Sequence, residues 1–249
     1  MSTPAGSTDT SNPFTDDVFL ASLTFGGFDY TAAGESFRAV SHFEVLSGRS
    51  HINAEWGDGD TAADGNGTPF AKAGFPDADQ ETTDPSIQDA ALLNAFNSLS
   101  LSEITDGENS AGSGFSFKVL FDGSLAYSDV GGDGLPDLVF FERGLNDTFY
   151  VDLIIGGSFA NPLYSSPSEI KSGDFWDTGI DINTVEISNA QSLGAGGFDL
   201  ADFGLTGNDV AYGFRLTAHG NSGPDLGGFF LTAQEPEDFG PSLVPVPQT

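Results

Sequence analysis

The stretch SDVGGDGLPDLVFFERGLNDTF, residues 128–149, decides how the rest of the chain can fold. It joins a glycine-rich acidic loop to four consecutive apolar residues at 138–141 and continues into the phrase ERGLND at 142–147. A short apolar run bounded by turn residues is typical of a strand that is buried on both faces. The stretch therefore predicts a central core strand, with an acidic loop at its start and a polar turn at its end.

The acidic loop has the spacing of a calcium-binding loop, in which short carboxylates at every second position converge on one cation. The candidate ligands are the carboxylates of Asp129, Asp133 and Asp137 and the carbonyl oxygen of Leu135. Gly134 lies where such a loop turns sharply. Gly131 and Phe140 replace two of the usual ligands, which excludes an EF-hand and indicates a weaker site. The alternative is a hairpin turn whose aspartates are solvated.

A second acidic segment, HINAEWGDGDTAADGNGT at residues 51–68, predicts a long surface loop. The spacing of its aspartates could hold a second cation, and a solvated loop is an equal alternative. These residues are Asp58, Asp60 and Asp64. Trp56 in this segment and Trp176 further along are both expected in polar loops close to aspartates, where exposed rings can stack on sugars. Buried anchoring of the loops is the alternative interpretation for both tryptophans.

The charge balance is strongly acidic. There are 7 Lys+Arg against 37 Asp+Glu in 249 residues, which gives a formal net charge of -30. Such a surface repels nucleic acid and anionic membranes and attracts divalent cations, so Ca²⁺ is the expected cofactor and nucleic acid is not an expected partner. The absence of cysteine excludes disulfides and thiol chemistry. No apolar stretch reaches the roughly 18 residues of a membrane helix, so direct membrane insertion is not predicted.

Alternating apolar residues predict short strands through most of the chain. The clearest lie at 18–25, 28–30, 37–46, 115–122, 149–155, 180–187, 210–218 and 228–233. Glycine pairs that begin at residues 26, 131, 156, 196 and 227 are interpreted as turns. Asp84 and Pro85 begin one predicted helix, whose apolar stripe ends at Leu99. Together these patterns predict an all-β, jelly-roll-like β-sandwich with one short helix.

The predicted organisation has three parts. Residues 1–16 form a flexible N-terminal lead, residues 17–233 form a single β-sandwich domain, and residues 234–249 form a Pro-rich extended tail outside the core. A chain of this length can bury a large core as one domain. The 23 phenylalanines are expected to supply much of it.

No catalytic residue is predicted. The chain lacks the G-x-S-x-G and H-E-x-x-H motifs, its three histidines lack metal-ligand spacing, and 37 acids make chance carboxylate pairs unavoidable. Glu142 and Arg143 could belong to an active site, but an ion pair at the end of a strand is the favoured interpretation. Arg143 is expected to pair with Asp147 or Asp225.

Four phrases in the second half of the chain resemble a known family. They are ERGLND at 142–147, INTVEISNAQSLGAGGFDLADFGLTG at 182–207, FRLTA at 214–218 and SGPDLGGFFLTA at 222–233. Similar phrases recur in this order in the bacterial exosortase-dependent surface proteins of the PEP-CTERM type. DVFLASLTFGG at 17–27 and DPSIQDAALLNAFNSLSLSEI at 84–104 are similar to the N-terminal half of that family. The resemblance covers most of residues 17–233.

The resemblance implies a secreted or cell-surface bacterial β-sandwich with no known catalytic residues. Its members normally close on a proline motif, an apolar helix and a basic tail, and VPVPQT at 244–249 resembles the proline motif alone. We therefore expect a non-catalytic, calcium-stabilised structural or adhesive protein of a bacterial envelope or extracellular matrix. The alternatives are a calcium-dependent carbohydrate-binding module and a self-assembling filament or surface-layer subunit that exchanges strands. The expected partners are accordingly polysaccharide or further copies of the chain.

Overall fold

The computed structural model describes residues 18–48, 51–53, 115–182, 190–219 and 224–243, together with residues 89, 92, 93, 96, 97, 99, 101 and 104–106. Within these residues, no helix is both long and apolar enough to cross a membrane. Several predictions fall outside the described residues: Asp58, Asp60, Asp64, Trp56, the start of the helix and the N-terminal lead at 1–16.

Sixteen β-strands are present in the described residues. They are β1 (Ser22–Phe25), β2 (Phe28–Thr31), β3 (Phe37–Arg38), β4 (Val40–Ser47), β5 (His51–Asn53), β6 (Ile104–Asp106), β7 (Phe115–Ala126), β8 (Leu138–Arg143), β9 (Phe149–Ser158), β10 (Asn161–Tyr164), β11 (Ser168–Ile170), β12 (Trp176–Ile182), β13 (Gln191–Phe198), β14 (Val210–Ala218), β15 (Leu226–Thr232) and β16 (Phe239–Gly240). One helical turn, Tyr127–Val130, and three 3-10 turns, Ser172–Asp174, Leu200–Phe203 and Pro236–Asp238, lie between strands.

The strands form two seven-stranded antiparallel sheets and one separate hairpin. Sheet A has the order β10-β9-β14-β7-β16, with β11 also paired to β9 and β4 to β7. Sheet B has the order β12-β13-β8-β15-β6-β5, with β3 also paired to β15, and β1 pairs only with β2 among the described strands. Strands β7, β8, β9, β13, β14 and β15 alternate between the two sheets, as expected of a jelly roll. The predicted all-β, jelly-roll-like sandwich is confirmed.

Phenylalanine rings fill the space between the two sheets. Phe117 and Phe214 of sheet A contact Phe229 of sheet B, with ring centroids 5.7 and 5.1 Å apart. A second apolar cluster lies between the other face of sheet B and the β1–β2 hairpin. Strand β8 supplies Phe140 to the first cluster and Phe141 to the second, and all six of its residues are buried. The prediction of a core strand buried on both faces is therefore confirmed.

The described part of the predicted helix agrees with the sequence pattern. The helical residues described there are Asp89, Leu92, Leu93 and Phe96. The Asn97 N–H donates to the Leu93 carbonyl at 2.9 Å, which is the four-residue spacing of an α-helix. Leu92 and Phe96 are buried in the main core, where the Phe96 ring stacks on Phe229 at 4.8 Å. This segment is therefore a packing element, as its apolar stripe indicates.

The predicted strand at 37–46 divides between the two sheets. Phe37 lies in β3 of sheet B and packs in the second cluster, whereas Phe43 lies in β4 of sheet A and packs in the first. A register shift between Val40 and His42 accompanies the change of sheet. A simple alternation of apolar residues does not reveal this crossing, because Phe37 and Phe43 are buried against different partners.

The predicted C-terminal tail begins inside the fold. Strand β16 pairs with β7 through Leu125 and Ser124, and the Arg38 guanidinium lies 4.2 Å from the centroid of the Phe239 ring. The prolines of this segment predict extended chain, but Phe239 also packs against the main core. Sheet A therefore extends beyond the predicted domain boundary at residue 233.

Candidate functional site

The three aspartates of the acidic loop have separate surroundings. Asp129 is exposed in the helical turn and accepts a hydrogen bond from the Ser128 hydroxyl at 2.9 Å. The Asp133 carboxylate accepts hydrogen bonds from the Leu135 N–H at 2.8 Å and from the Gln234 side-chain amide at 2.9 Å. Asp137, by contrast, is only 3 % exposed. These contacts leave the three carboxylates in different environments.

Asp199 is the residue that organises the acidic loop, and the sequence analysis did not identify it. Its carboxylate accepts from the N–H groups of Gly132 at 2.8 Å, Gly134 at 3.0 Å and Ala201 at 2.8 Å. The loop therefore wraps its backbone donors around a carboxylate, as backbone nests do around anions. Asp199 also forms a capping box with Asp202 at the following 3-10 turn, and the spacing in FDLADFG is the signal that could have found it.

Burial changes the ionisation of Asp137. Loss of hydration raises its pKa to about 8, and the nearby charges of Asp199, Asp133 and Asp202 act in the same direction. A hydrogen bond from the Leu200 N–H at 2.9 Å opposes this shift. The crowding of acids around this position is the kind of repulsion that a cation relieves.

The described residues contain no group of three or more acidic or histidine side chains placed to hold a metal ion. Asp129, Asp133 and Asp137 therefore do not form such a group, although all three are described. Calcium binding by these residues and by the Leu135 carbonyl stays a prediction.

Arg143 forms the centre of a buried polar contact at the end of β8. Its side chain is 0 % exposed, its Nε–H donates to the Ile182 carbonyl at 3.1 Å, and its guanidinium lies 3.3 Å from the Asp225 carboxylate. The expected ion pair is confirmed, with Asp225 as a partner. Ile182 is the last residue of β12, and Asp225 directly precedes β15. The Arg143 side chain therefore connects the ends of three strands of sheet B.

Glu142 lies next to this contact and is completely buried. Its Oε2 accepts from the Leu145 N–H at 2.5 Å, while its Oε1 is buried without a hydrogen-bond partner. Loss of hydration raises the pKa of Glu142 to about 9, and the charges of Asp147 and Asp225 add to the shift. Burial raises the pKa of the neighbouring Asp147 as well.

Lysine and arginine residues of the described part all take part in ion pairs. On the outer face of sheet A, Glu44 pairs with Lys118 at 2.9 Å and Asp152 pairs with Arg215 at 2.8 Å. Aromatic rings from the β9–β10 hairpin lie 4.5 and 4.2 Å from these two cations. Both cations are therefore used within the fold rather than in a basic patch.

Trp176 begins strand β12 and does not lie in a loop as expected. It is 37 % exposed, and its ring meets Phe25 edge-on with centroids 4.8 Å apart. Strand β12 is the edge of sheet B, so part of the ring borders the contact with the hairpin and part faces solvent.

Cavities lined by described residues include two that contain acidic side chains. One of about 570 Å³ contains a single acidic residue, Asp122, among its lining side chains. Another of about 350 Å³ is lined by three acids, Glu169, Asp174 and Asp202. Each of these carboxylates already accepts a hydrogen bond from a tyrosine hydroxyl or a backbone N–H.

The fold and these contacts define an all-β sandwich protein with polar groups buried inside it. The chain matches no protein-family model, no curated protein and no solved structure.

Proposed function

We propose that the chain is a non-catalytic structural or adhesive protein, stabilised by calcium and displayed on or secreted from a bacterial cell. It would act in the envelope or in the extracellular matrix. The motif resemblance to exosortase-dependent surface proteins supplies the cellular context for this proposal.

The observation that carries the proposal is the position of ERGLND, the phrase with the most specific resemblance. Glu142 and Arg143 are fully buried, and Arg143 bonds to Ile182 and Asp225 of neighbouring strands. Residues that act on a substrate must reach it, whereas these residues contact other parts of the same sandwich. The most distinctive polar residues of the chain thus support its own fold, which favours a structural role.

The acidic surface supports the calcium part of the proposal. With a net charge of -30, the chain repels itself unless salt or divalent cations screen it. Extracellular fluid and matrix can supply such ions. Calcium bound to the folded state would also stabilise it by mass action.

Deletion of the gene in its native bacterium tests the role. We expect weaker attachment or a less cohesive matrix, restored by the wild-type gene. Two variants that remove an acid from each cavity, Glu169→Gln and Asp122→Asn, should restore it equally, because a structural role needs neither carboxylate for chemistry. Failure of a folded and exported variant to restore the phenotype would indicate catalysis and contradict the proposal.

Carbohydrate binding is a second candidate, favoured by the exposure of Trp176 at a sheet edge. Trp176→Ala should then abolish retention on a polysaccharide matrix, because aromatic faces stack on sugar rings. Phe19→Ala is a matched control, since Phe19 is 41 % exposed elsewhere in the chain. Equal retention of the two variants would remove this candidate.

A further inference from the structure

Residues 142–147, which include the end of β8 and the turn after it, contain a buried carboxylate oxygen that lacks a hydrogen-bond donor. The Oε1 atom of Glu142 is buried and has no hydrogen-bond partner, although the side chain is 0 % exposed. A buried carboxylate oxygen without a partner is costly, so such groups are normally bonded to a donor or to a metal ion. This oxygen therefore points to a ligand between Glu142 and its neighbours.

Asp147 is an acidic neighbour of Glu142, and its charge acts on the Glu142 carboxyl. Two ionised carboxylates can only accept hydrogen bonds, so neither can satisfy the other. They can remain in contact only if a positive species lies between them. That species is either a proton or a metal cation.

The charges around this turn favour a divalent cation. The charges of two further carboxylates, Asp147 and Asp225, both act on Glu142. Arg143 supplies one positive charge, through its pair with Asp225. The sum for these four groups is two negative charges, and one divalent cation would neutralise it.

The same turn also offers neutral side-chain oxygens as ligands and an approach from solvent. The Asn146 side-chain oxygen lies 2.8 Å, and the Gln191 side-chain oxygen 3.5 Å, from the point that a Cβ on Gly144 would occupy. Asn146 is exposed and Asp147 is half-buried, so an ion can approach from the solvent side. Carboxylate, amide and water oxygens are the ligands that calcium prefers.

We propose that this turn is a calcium site in which Glu142 and Asp147 provide carboxylate ligands, with Asn146 and water completing the coordination. The site rests on the calcium part of the proposed function and places the ion at the end of β8. It differs from the acidic loop at 129–137, where Asp133 and Asp199 already accept hydrogen bonds from N–H donors. Bound calcium would fix the chain between β8 and β9, where Leu145 has a positive φ of 57°.

Calorimetric titration of the purified chain with CaCl₂ tests the site, at an ionic strength of about 0.15 M to suppress non-specific screening. MgCl₂ at equal ionic strength is the reference for non-specific divalent binding. The decisive variants are Glu142→Gln and Asp147→Asn, which keep the shape of each side chain and remove one ligand charge. We expect either to weaken calcium binding by at least the roughly tenfold loss seen when an outer-shell partner of a metal is removed.

Asp29→Asn is the matched control, because Asp29 is an exposed acid of the β1–β2 hairpin that belongs to neither candidate calcium site, so its removal should leave this binding unchanged. If Glu142→Gln fails to fold, Asp147→Asn decides alone, since Asp147 is only half-buried. Unchanged affinity in Asp147→Asn overturns the site, as does an equal loss in Asp29→Asn. Absence of calcium binding by the wild-type chain also overturns it. Absence of calcium binding would contradict the calcium part of the proposed function as well, whereas loss of affinity in the variants concerns this site alone. The structural or adhesive role is tested separately by the deletion strain.

Discussion

Arg143 shows how a very acidic chain uses its few cations. Its guanidinium is completely buried and bonds to a carbonyl and to Asp225 on neighbouring segments of sheet B. Burial of a charge is tolerated only when partners replace its hydration. The buried guanidinium and its partners therefore stabilise one another. We expect removal of the Arg143 side chain to destabilise the fold.

Replacing Arg143 with alanine should destabilise the protein by about 3–5 kcal/mol, the usual cost of removing one partner of a buried ion pair. Urea denaturation at neutral pH measures this loss. Lys171→Ala is the control, because Lys171 pairs with Glu169 in an exposed position and its removal should change stability little. An unchanged free energy of unfolding for the Arg143→Ala protein would contradict the structural role given to this residue.

Strand β13 shows how glycine can serve packing at the scale of one element. Its sequence QSLGAGGF contains Gly196 and Gly197, which the glycine pattern predicts to be a turn. Instead both lie inside β13, which is the strand between β8 and β12 in sheet B. A Cβ on Gly197 would lie 2.5 Å from the Phe25 ring and 2.9 Å from the Pro136 Cβ. The missing side chain thus lets the β1–β2 hairpin approach sheet B.

Gly197→Ala should destabilise the protein by about 1–3 kcal/mol, because the added methyl group overpacks this contact. Gly173→Ala is the matched control, since a Cβ there would meet nothing within 4 Å. Thermal melting of both variants under the same conditions provides the comparison. Equal melting temperatures would show that the hairpin does not need the close approach.

The sequence predicts those elements whose burial follows from a local pattern, either a continuous apolar run or a stripe at helical spacing. Leu138–Phe141 and the helical stripe containing Leu92 and Phe96 are examples, because burial depends there on local pattern alone. The glycine pattern predicts turns at the pairs beginning at 156, 196 and 227, but these pairs lie in β9, β13 and β15. Their role depends on rings from distant segments, which local pattern does not reveal.

The sequence likewise predicts some contacts of the candidate sites and not others. The ion pair of Arg143 could be expected from the scarcity of cations, and Asp225 was one of two proposed partners. The position of Asp199 inside the acidic loop could not, because it lies more than sixty residues from Gly132 and Gly134. The loop spacing predicts aspartates that bind a cation. The described contacts instead show backbone N–H groups of the loop that donate hydrogen bonds to the Asp199 carboxylate.

At the scale of the whole molecule, electrostatic repulsion opposes folding. The net charge of -30 is concentrated when the chain is compact and more widely spread when it unfolds. Raising NaCl from about 0.01 to 0.15 M shortens the screening length from about 30 to 8 Å. We expect the melting temperature to rise by several degrees over this range. A flat or falling melting temperature would show that repulsion between carboxylates does not limit stability.

The central claim is that this sandwich works outside the cell as a structural or adhesive component. Labelling of intact, unpermeabilised cells of the native bacterium with an antibody against the folded chain tests it most directly, together with the extracellular matrix fraction. The account predicts that most of the protein is labelled on intact cells or recovered from the matrix. Labelling that appears only after the cells are permeabilised would contradict it.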